Sequence, residues 1–478
     1  MSSLRSAFFI NLASATGGNL LRFGVSLLLA RLLMPAELGL VAVAMAVLGV
    51  AQMLRDGGVS SYLQREAELN PARFASCLGV LWASTAALSL MLLAASGPLS
   101  QHFGQPGLQP LLGVLLLGFA LSPFSLVMAA LMQRELAAAR IAYVSRLGAL
   151  AHALSAVGLA AAGFGAMSLA WAYVINILVC SWAYWPMRPR GMGWRPSTQG
   201  WRPVLQFGAG TLLVSGLASL HSAVPDLLLG RLGTLQQVGL LGRANAVVNL
   251  FNTVLGNAAN FGALRSLAQR HHRREALAPL LLRATALLTG AGWPVLGLIA
   301  LFSTDIVRLL YGPAWLGSAP AVAPLAAVAA LGLLFNYAGP ALAAIGRPQL
   351  AALPLAISLL ARLGLLAWLF DGGLQGFAQA LMLAALVALP LQLWLLMAPL
   401  GLRARELLAC VLRSLLPSLA AWGAAALLRE QSAPLALAAA GLAWCLALLA
   451  VGHPLLEEFN QLLLSPLLPP RLRSTIRK

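Results

Sequence analysis

The sequence predicts an all-α polytopic membrane protein of about fourteen spanning helices: two parallel six-helix bundles followed by two further helices. Three observations predict it: a composition too apolar for water, loop arginines concentrated in alternate loops, and an internal repeat that returns in the same orientation.

Of the 478 residues, 60% are hydrophobic and only 9% are charged, and the mean hydropathy is +0.85. A soluble domain carries roughly a quarter charged residues. So few charges cannot build a water-facing surface, which excludes an ordinary soluble enzyme. The first apolar segment reads as a span rather than a cleavable signal, because many equally apolar segments follow and no small-residue cleavage site closes it.

About 20 apolar residues cross the hydrocarbon core as a helix. On that measure spans fall near 9–31, 37–57, 73–95, 108–132, 141–161, 166–186, 204–229, 234–260, 276–301, 319–343, 349–370, 374–399, 406–428 and 433–452. The first two are separated at Pro35, and the second ends in the pair Arg55–Asp56 followed by Gly57 and Gly58.

Loop charge tests this reading independently. With the N terminus inside, inward loops hold Arg65 and Arg73, Arg134 and Arg140, and then Arg188, Arg190, Arg195 and Arg202. Later inward loops hold Arg265, Arg270, Arg273 and Arg274, then Arg347, then Arg403 and Arg405, with Arg471, Arg473, Arg477 and Lys478 in the tail. Outward loops hold only Arg31, Arg231, Arg308 and Arg429. Positive charge is retained on the cytoplasmic side, so both termini are expected there. The outward connections are short and leave no room for an extracytoplasmic catalytic domain.

The net charge is +18, from 31 basic and 13 acidic residues, and Lys478 is the only lysine. Codon bias explains an arginine-rich chain; arginine's planar fork also suits diphosphate and carboxylate groups. The basic residues sit in short loops and form no patch of a soluble domain, so nucleic acid is not an expected partner. Cys77, Cys180, Cys410 and Cys445 are scattered singly, and no cysteine–histidine spacing suits a metal. His271 and His272 stand beside arginines in an inward loop and read as solvated. No cofactor is expected.

The segment Leu27–Val47, "LLLARLLMPAELGLVAVAMAV", aligns without a gap on Leu227–Val247, "LLLGRLGTLQQVGLLGRANAV". Arg31 matches Arg231 and Gly39 matches Gly239. Six spans separate the copies, an even number, so they share one orientation and define parallel repeats. Residues 1–190 are then a first six-helix bundle, 191–203 a cytoplasmic linker and 204–400 a second bundle. Residues 401–452 form the two additional helices and 453–478 a basic cytoplasmic tail.

Polar residues inside apolar segments mark pathways or partners. In the first span Asn11, Gly18, Arg22 and Ser26 fall on one helical stripe, with Arg22 well inside. In the seventh, Thr211, Ser215, Ser222 and Asp226 fall on the equivalent stripe. The eighth carries Asn245, Asn249, Asn252 and Asn260 on one side; interhelical hydrogen bonding explains these as well as substrate contact does. Arg243 points away from that stripe and ranks below Arg22. Arg362 lies midway along the eleventh span. His152 and His221 read as hydrogen-bonded residues within their spans.

With these residues in place, the chain resembles Wzx-type polysaccharide exporters of the multidrug/oligosaccharidyl-lipid/polysaccharide flippase superfamily. The resemblance is carried by "LARLLMPAELGLVAVA" and "LRDGGVSSYLQRE" in the first half. In the second it is carried by "PDLLLGRLGTLQQVGLLGRANAV", "RLLYGPAWLGSAP" and "AIGRPQL". It covers most of the first 350 residues; beyond them only hydropathy and span count agree. It implies translocation of a polyprenyl-diphosphate-linked oligosaccharide by two bundles rocking about a cationic cavity, for surface or exopolysaccharide synthesis. On this reading Arg22, then Arg362 and Arg55, meet the diphosphate, and Asn11, Asn245, Asn249 and Asn252 meet the sugar. Asp56, Asp226 and Ser222 are polar cavity or coupling residues. The implied partners are the lipid-linked glycan, membrane lipids, a polysaccharide polymerase and glycosyltransferases.

A cation-coupled multidrug-type antiporter would share the paired bundles but would call for cavity carboxylates, of which Asp226 is almost the only mid-span example. A membrane glycan polymerase or ligase would need a long outward loop.

Overall fold

The computed structural model describes residues 23–66, 69–189, 193–250 and 276–458. Among these residues the regular structure is entirely helical, with ten helices long and apolar enough to cross a membrane, or eleven if one bent pair counts as a single span. The all-α polytopic class is therefore observed. The expected crossings near 9–31 and 234–260 lie partly outside the described residues.

The chain forms two compact units. The first comprises Met1–Arg243 together with Arg308–Ser318, and the second comprises Ala244–Val307 and Ala319–Lys478. Two features of this division are not legible in the sequence. The start of the second repeat packs into the first unit, and so does a short piece of the later "RLLYGPAWLGS" motif.

The first unit begins with α1 (Phe23–Leu32), α2 (Pro35–Asp56), α3 (Val59–Arg65) and α4 (Pro71–His102). It continues through α5 (Leu108–Leu121), α6 (Pro123–Arg134), α7 (Ala138–Ala161), α8 (Met167–Tyr184) and α9 (Trp201–Leu232), and takes in the start of α10 (Leu235–Val248). Pro35 occupies the first turn of α2, where its missing N–H is not needed, and the Glu37 side chain reaches back to the backbone N–H of Met34, 2.8 Å away. Gly57 (φ 48°) closes α2 and Gly58 (φ 78°) opens α3, both in left-handed conformation. The core gathers around Phe74, Leu78, Leu81, Met128 and Leu131. Ser197 is tied into this unit, its N–H donating to Ala75 O at 2.9 Å.

The span expected over 108–132 is not one straight helix: α5 and α6 meet at a 45° bend. Pro123 is the cause. Its ring nitrogen has no proton, so the carbonyl of Phe119, four residues earlier, loses its helical donor.

The second unit contains α11 (Ala278–Leu301), α13 (Ala319–Gly332), α14 (Ala338–Ala344), α15 (Ala352–Leu369), α16 (Leu374–Leu400), α17 (Ala404–Leu428) and α18 (Ala433–Val451). The helix α12 (Ser303–Tyr311) has residues in both units. Pro294 interrupts α11 and deprives Gly290 O of its donor; the indole N–H of Trp444, on α18, occupies that carbonyl at 3.1 Å. In a membrane interior every backbone carbonyl freed by a proline needs such a substitute. Trp422 of α17 packs against Gly297, and its N–H donates to Pro294 O at 3.2 Å.

Candidate functional site

The main polar features of the first unit lie between α2 and α9. Small residues on α2, Ala42, Ala46 and Gly49, leave room along the interface. Opposite them α9 presents Ser219, Ser222 and Asp226 to a cavity of about 500 Å³. Next to it, sharing Gly49 and Ser219, a second cavity of about 370 Å³ is lined by Gln52, Arg55, Asp56, Ser61 and Ser215. Of the seventh-span stripe, Ser222 and Asp226 line the first cavity and Ser215 the second. Ser219 belongs to it and escaped the sequence reading, although the spacing 215, 219, 222, 226 carries the signal.

Arg55 is 5% exposed and turned into the protein. Its Nη1 donates to Phe119 O at 3.4 Å and to Ser122 Oγ, and its guanidinium lies 4.6 Å from the centre of the Phe119 ring. The Ser122 hydroxyl donates to the same carbonyl at 2.7 Å. Arg55 and the Ser122 hydroxyl therefore join the Ser122 backbone N–H, 3.3 Å away, as donors to the carbonyl that loses its Pro123 partner, while the edge of Arg55 borders the cavity. Asp56 accepts from the Ser60 N–H at 3.3 Å and from the Ser60 hydroxyl, and so caps the start of α3 across the two glycines. Arg55 and Asp56 are not hydrogen-bonded to one another.

The other sequence candidates are dispersed. Arg22, Asn11 and Asn252 lie outside the described residues. Asn245 lies in the last turn of α10 and Asn249 directly follows that helix, its N–H donating to Asn245 O at 2.9 Å, and Arg362 lies midway along α15. Both of these stretches belong to the second unit. Arg243, ranked low from its helical angle, proves to be held: Nη1 donates to Ser26 Oγ at 2.6 Å and to Ser26 O at 3.2 Å. Only the fold brings residues 217 positions apart together.

The repeat has a direct structural counterpart. A methyl group built on Gly39 would lie 1.8 Å from Leu235 O, and one on Gly239 would lie 1.9 Å from Pro35 O. The N-terminal turns of α2 and α10 thus meet backbone to backbone through equivalent positions of the two copies. Trp315, fully buried, fixes the 308–318 segment by donating to Ala30 O at 2.6 Å.

In the second unit a long apolar cavity of about 720 Å³ runs along Trp293, Leu386, Leu393, Leu408, Val411 and Trp422. Among the described residues no group of histidine, cysteine and carboxylate side chains is placed to hold a metal ion.

Polar cavities in one unit and an apolar groove in the other belong to an all-α polytopic membrane protein. The fold agrees: the chain matches a solved lipid II flippase MurJ in an inward closed conformation with TM-score 0.72 and 13% identity, covering 92% of this chain and 98% of that one. It matches an inward-facing multidrug resistance MATE family transporter of the MOP superfamily with TM-score 0.65 and 18% identity, over 80% and 94% of the two chains. An outward-facing conformation of a multidrug resistance MATE family transporter matches with TM-score 0.57 and 16% identity, over 81% and 93%. No curated protein sequence matches the chain. Residues 28–320 match the family model described as polysaccharide biosynthesis protein, and the chain belongs to that family.

Proposed function

We propose that this protein moves a polyprenyl-diphosphate-linked oligosaccharide from the cytoplasmic to the outer leaflet of a bacterial inner membrane, with both termini cytoplasmic. The observation that carries the reading is the presence of polar cavities in the first unit and a long apolar groove in the second, in a member of a polysaccharide biosynthesis family. An amphiphile needs both: hydrogen bonders and positive charge for its headgroup, and an apolar channel for its tail.

Arg22 is the principal anchor for the diphosphate, with Arg362 and Arg55 as further cationic groups. Asn11, Asn245, Asn249 and Asn252 hydrogen-bond the sugars. Asp56, Asp226 and Ser222 give the cavity its polar wall and a site for coupling. Two six-helix bundles, 1–190 and 204–400, alternate access around this path, and residues 401–452 contribute to the groove through Leu408 and Val411.

The test is glycan export by cells carrying Arg22→Ala. Export should be abolished while the protein still inserts at native levels. Normal export by a well-expressed variant would sink the assignment.

A further inference from the structure

A separate cavity of about 540 Å³ lies within the first unit, sharing no lining residue with the two α2–α9 cavities; its Tyr173 hydroxyl accepts from Gln52 Nε2 of the second at 3.0 Å. It is lined by Ser26 of α1, Ser145 and His152 of α7, Tyr173 and Asn176 of α8, and Arg243 of α10. Its remaining walls are mostly apolar, and among the described residues no aspartate or glutamate lines it. A volume of this size is within the roughly 300–1,000 Å³ range of small-molecule sites.

Arg243 is, among the described residues, the only arginine in that lining. Among the described residues no carboxylate pairs with it. Its Nη1 is taken by Ser26, and its Nε is buried without an acceptor. Its guanidinium also faces Tyr311 and Trp315, with ring centres 5.5 and 5.8 Å away. The Tyr311 hydroxyl is likewise buried without a partner. A buried cation without a counter-charge is costly. Here the aromatic wall and Ser26 hold the guanidinium in place, so its remaining edge is preset for an anion.

We propose that this cavity binds a carboxylate-bearing sugar, with Arg243 meeting the carboxylate and Ser145, His152, Tyr173 and Asn176 available to the ring hydroxyls. One fixed positive charge matches one carboxylate. Among the described residues a single arginine faces the cavity, a closer match to one carboxylate than to the two or more negative charges of a diphosphate. That the carboxylate is carried by a sugar rests on the proposed glycan transport; that the ligand is a monoanion does not.

The experiment measures equilibrium binding to the purified full-length protein in lipid nanodiscs, using D-glucuronate, its neutral methyl ester, D-glucose and acetate. Glucuronate should bind saturably, with the ester, glucose and acetate each at least about tenfold weaker. Arg243→Gln should remove the preference for glucuronate over its ester, and the exposed-site control Arg231→Gln should keep it. Asn176→Leu should weaken glucuronate and its ester alike.

No saturable glucuronate binding, an ester that binds as well as the acid, or acetate that binds as well as glucuronate would each overturn the proposal. So would an unchanged preference in folded Arg243→Gln. The comparison of acid with ester needs no variant, so a misfolded Arg243→Gln leaves the question decidable. Binding is read without transport. Glucuronate held through Arg243 by a protein that exports nothing would sink the transport reading alone, and export without such binding would sink this site alone.

Discussion

Gly39 and Gly239 face each other across the contact of α2 with α10, each packed against a backbone carbonyl of the other's helix. They are equivalent positions of the two repeats, so the crossing point is locally symmetric. No side chain fits: an added methyl would sit 1.8 Å from Leu235 O or 1.9 Å from Pro35 O, and neither atom belongs to a movable side chain. Gly39→Ala and Gly239→Ala should each force the helices apart and destabilise the protein by roughly 1–3 kcal/mol. Gly49→Ala, where an added methyl meets nothing within 4 Å, is the matched control. Thermal unfolding in detergent checks all three.

Arg55 and Pro123 form a compensating pair. Arg55→Leu removes the charged donor to Phe119 O and Ser122 Oγ and should cost about 1–3 kcal/mol, because only the Ser122 backbone N–H and hydroxyl then serve the buried carbonyl. Pro123→Ala restores a backbone N–H at the right place. The double variant should therefore be more stable than the sum of the single effects allows, and a double-mutant cycle measures the coupling. Strict additivity would show that the contact does not serve the kink.

Trp315 holds the 308–318 segment in the first unit. Trp315→Ala should lose about 3–5 kcal/mol, the usual cost of deleting a large buried aromatic. Trp315→Phe keeps most of the packing and loses the hydrogen bond to Ala30 O, so it should cost about 1 kcal/mol. Limited proteolysis between 302 and 318 would report release of the segment.

His453 follows α18 and is almost fully buried, with Nε2 3.2 Å from Ser414 Oγ and Nδ1 accepting from the Leu455 N–H at 3.2 Å. Burial, helped by the nearby Arg413 charge, pushes its pKa down to about 4 from 6.5. The folded state therefore holds it neutral, while the unfolded chain takes up a proton first. Its contribution is complete above about pH 6.5 and is lost as pH falls through about 4. Thermal unfolding at about pH 7 and about pH 4.5 should show a loss in the native protein that His453→Gln reduces. An identical pH response in both would refute it.

Asp226 and Ser222 share one cavity wall. Asp226→Asn keeps the shape and removes the charge, so folding should be unaffected and glycan export should fall by about tenfold or more. Ser222→Ala should have a smaller effect. Export assays normalised to protein level separate the two.

Much of the helix plan is legible because each span needs its own run of apolar residues, a local property. The ends of α2, α8, α11 and α16 fall within a few residues of the positions that hydropathy gives. The seventh-span stripe is legible for a related reason: helical angle alone puts Ser215, Ser222 and Asp226 on one side. The bend between α5 and α6 is partly written at Pro123, yet Arg55 as its partner is not, since 64 residues separate Arg55 from Phe119.

The sequence by itself determined that the chain is a helical membrane protein and which residues are too polar to face lipid. These follow from composition, spacing and loop charge. Only the tertiary structure decided what those polar residues touch. It turned Arg55 onto a proline kink, set Asp56 to cap α3, tied Arg243 to Ser26 and drew Trp315 back to the first unit. Contacts between distant segments depend on how helices pack, and no local periodicity encodes that.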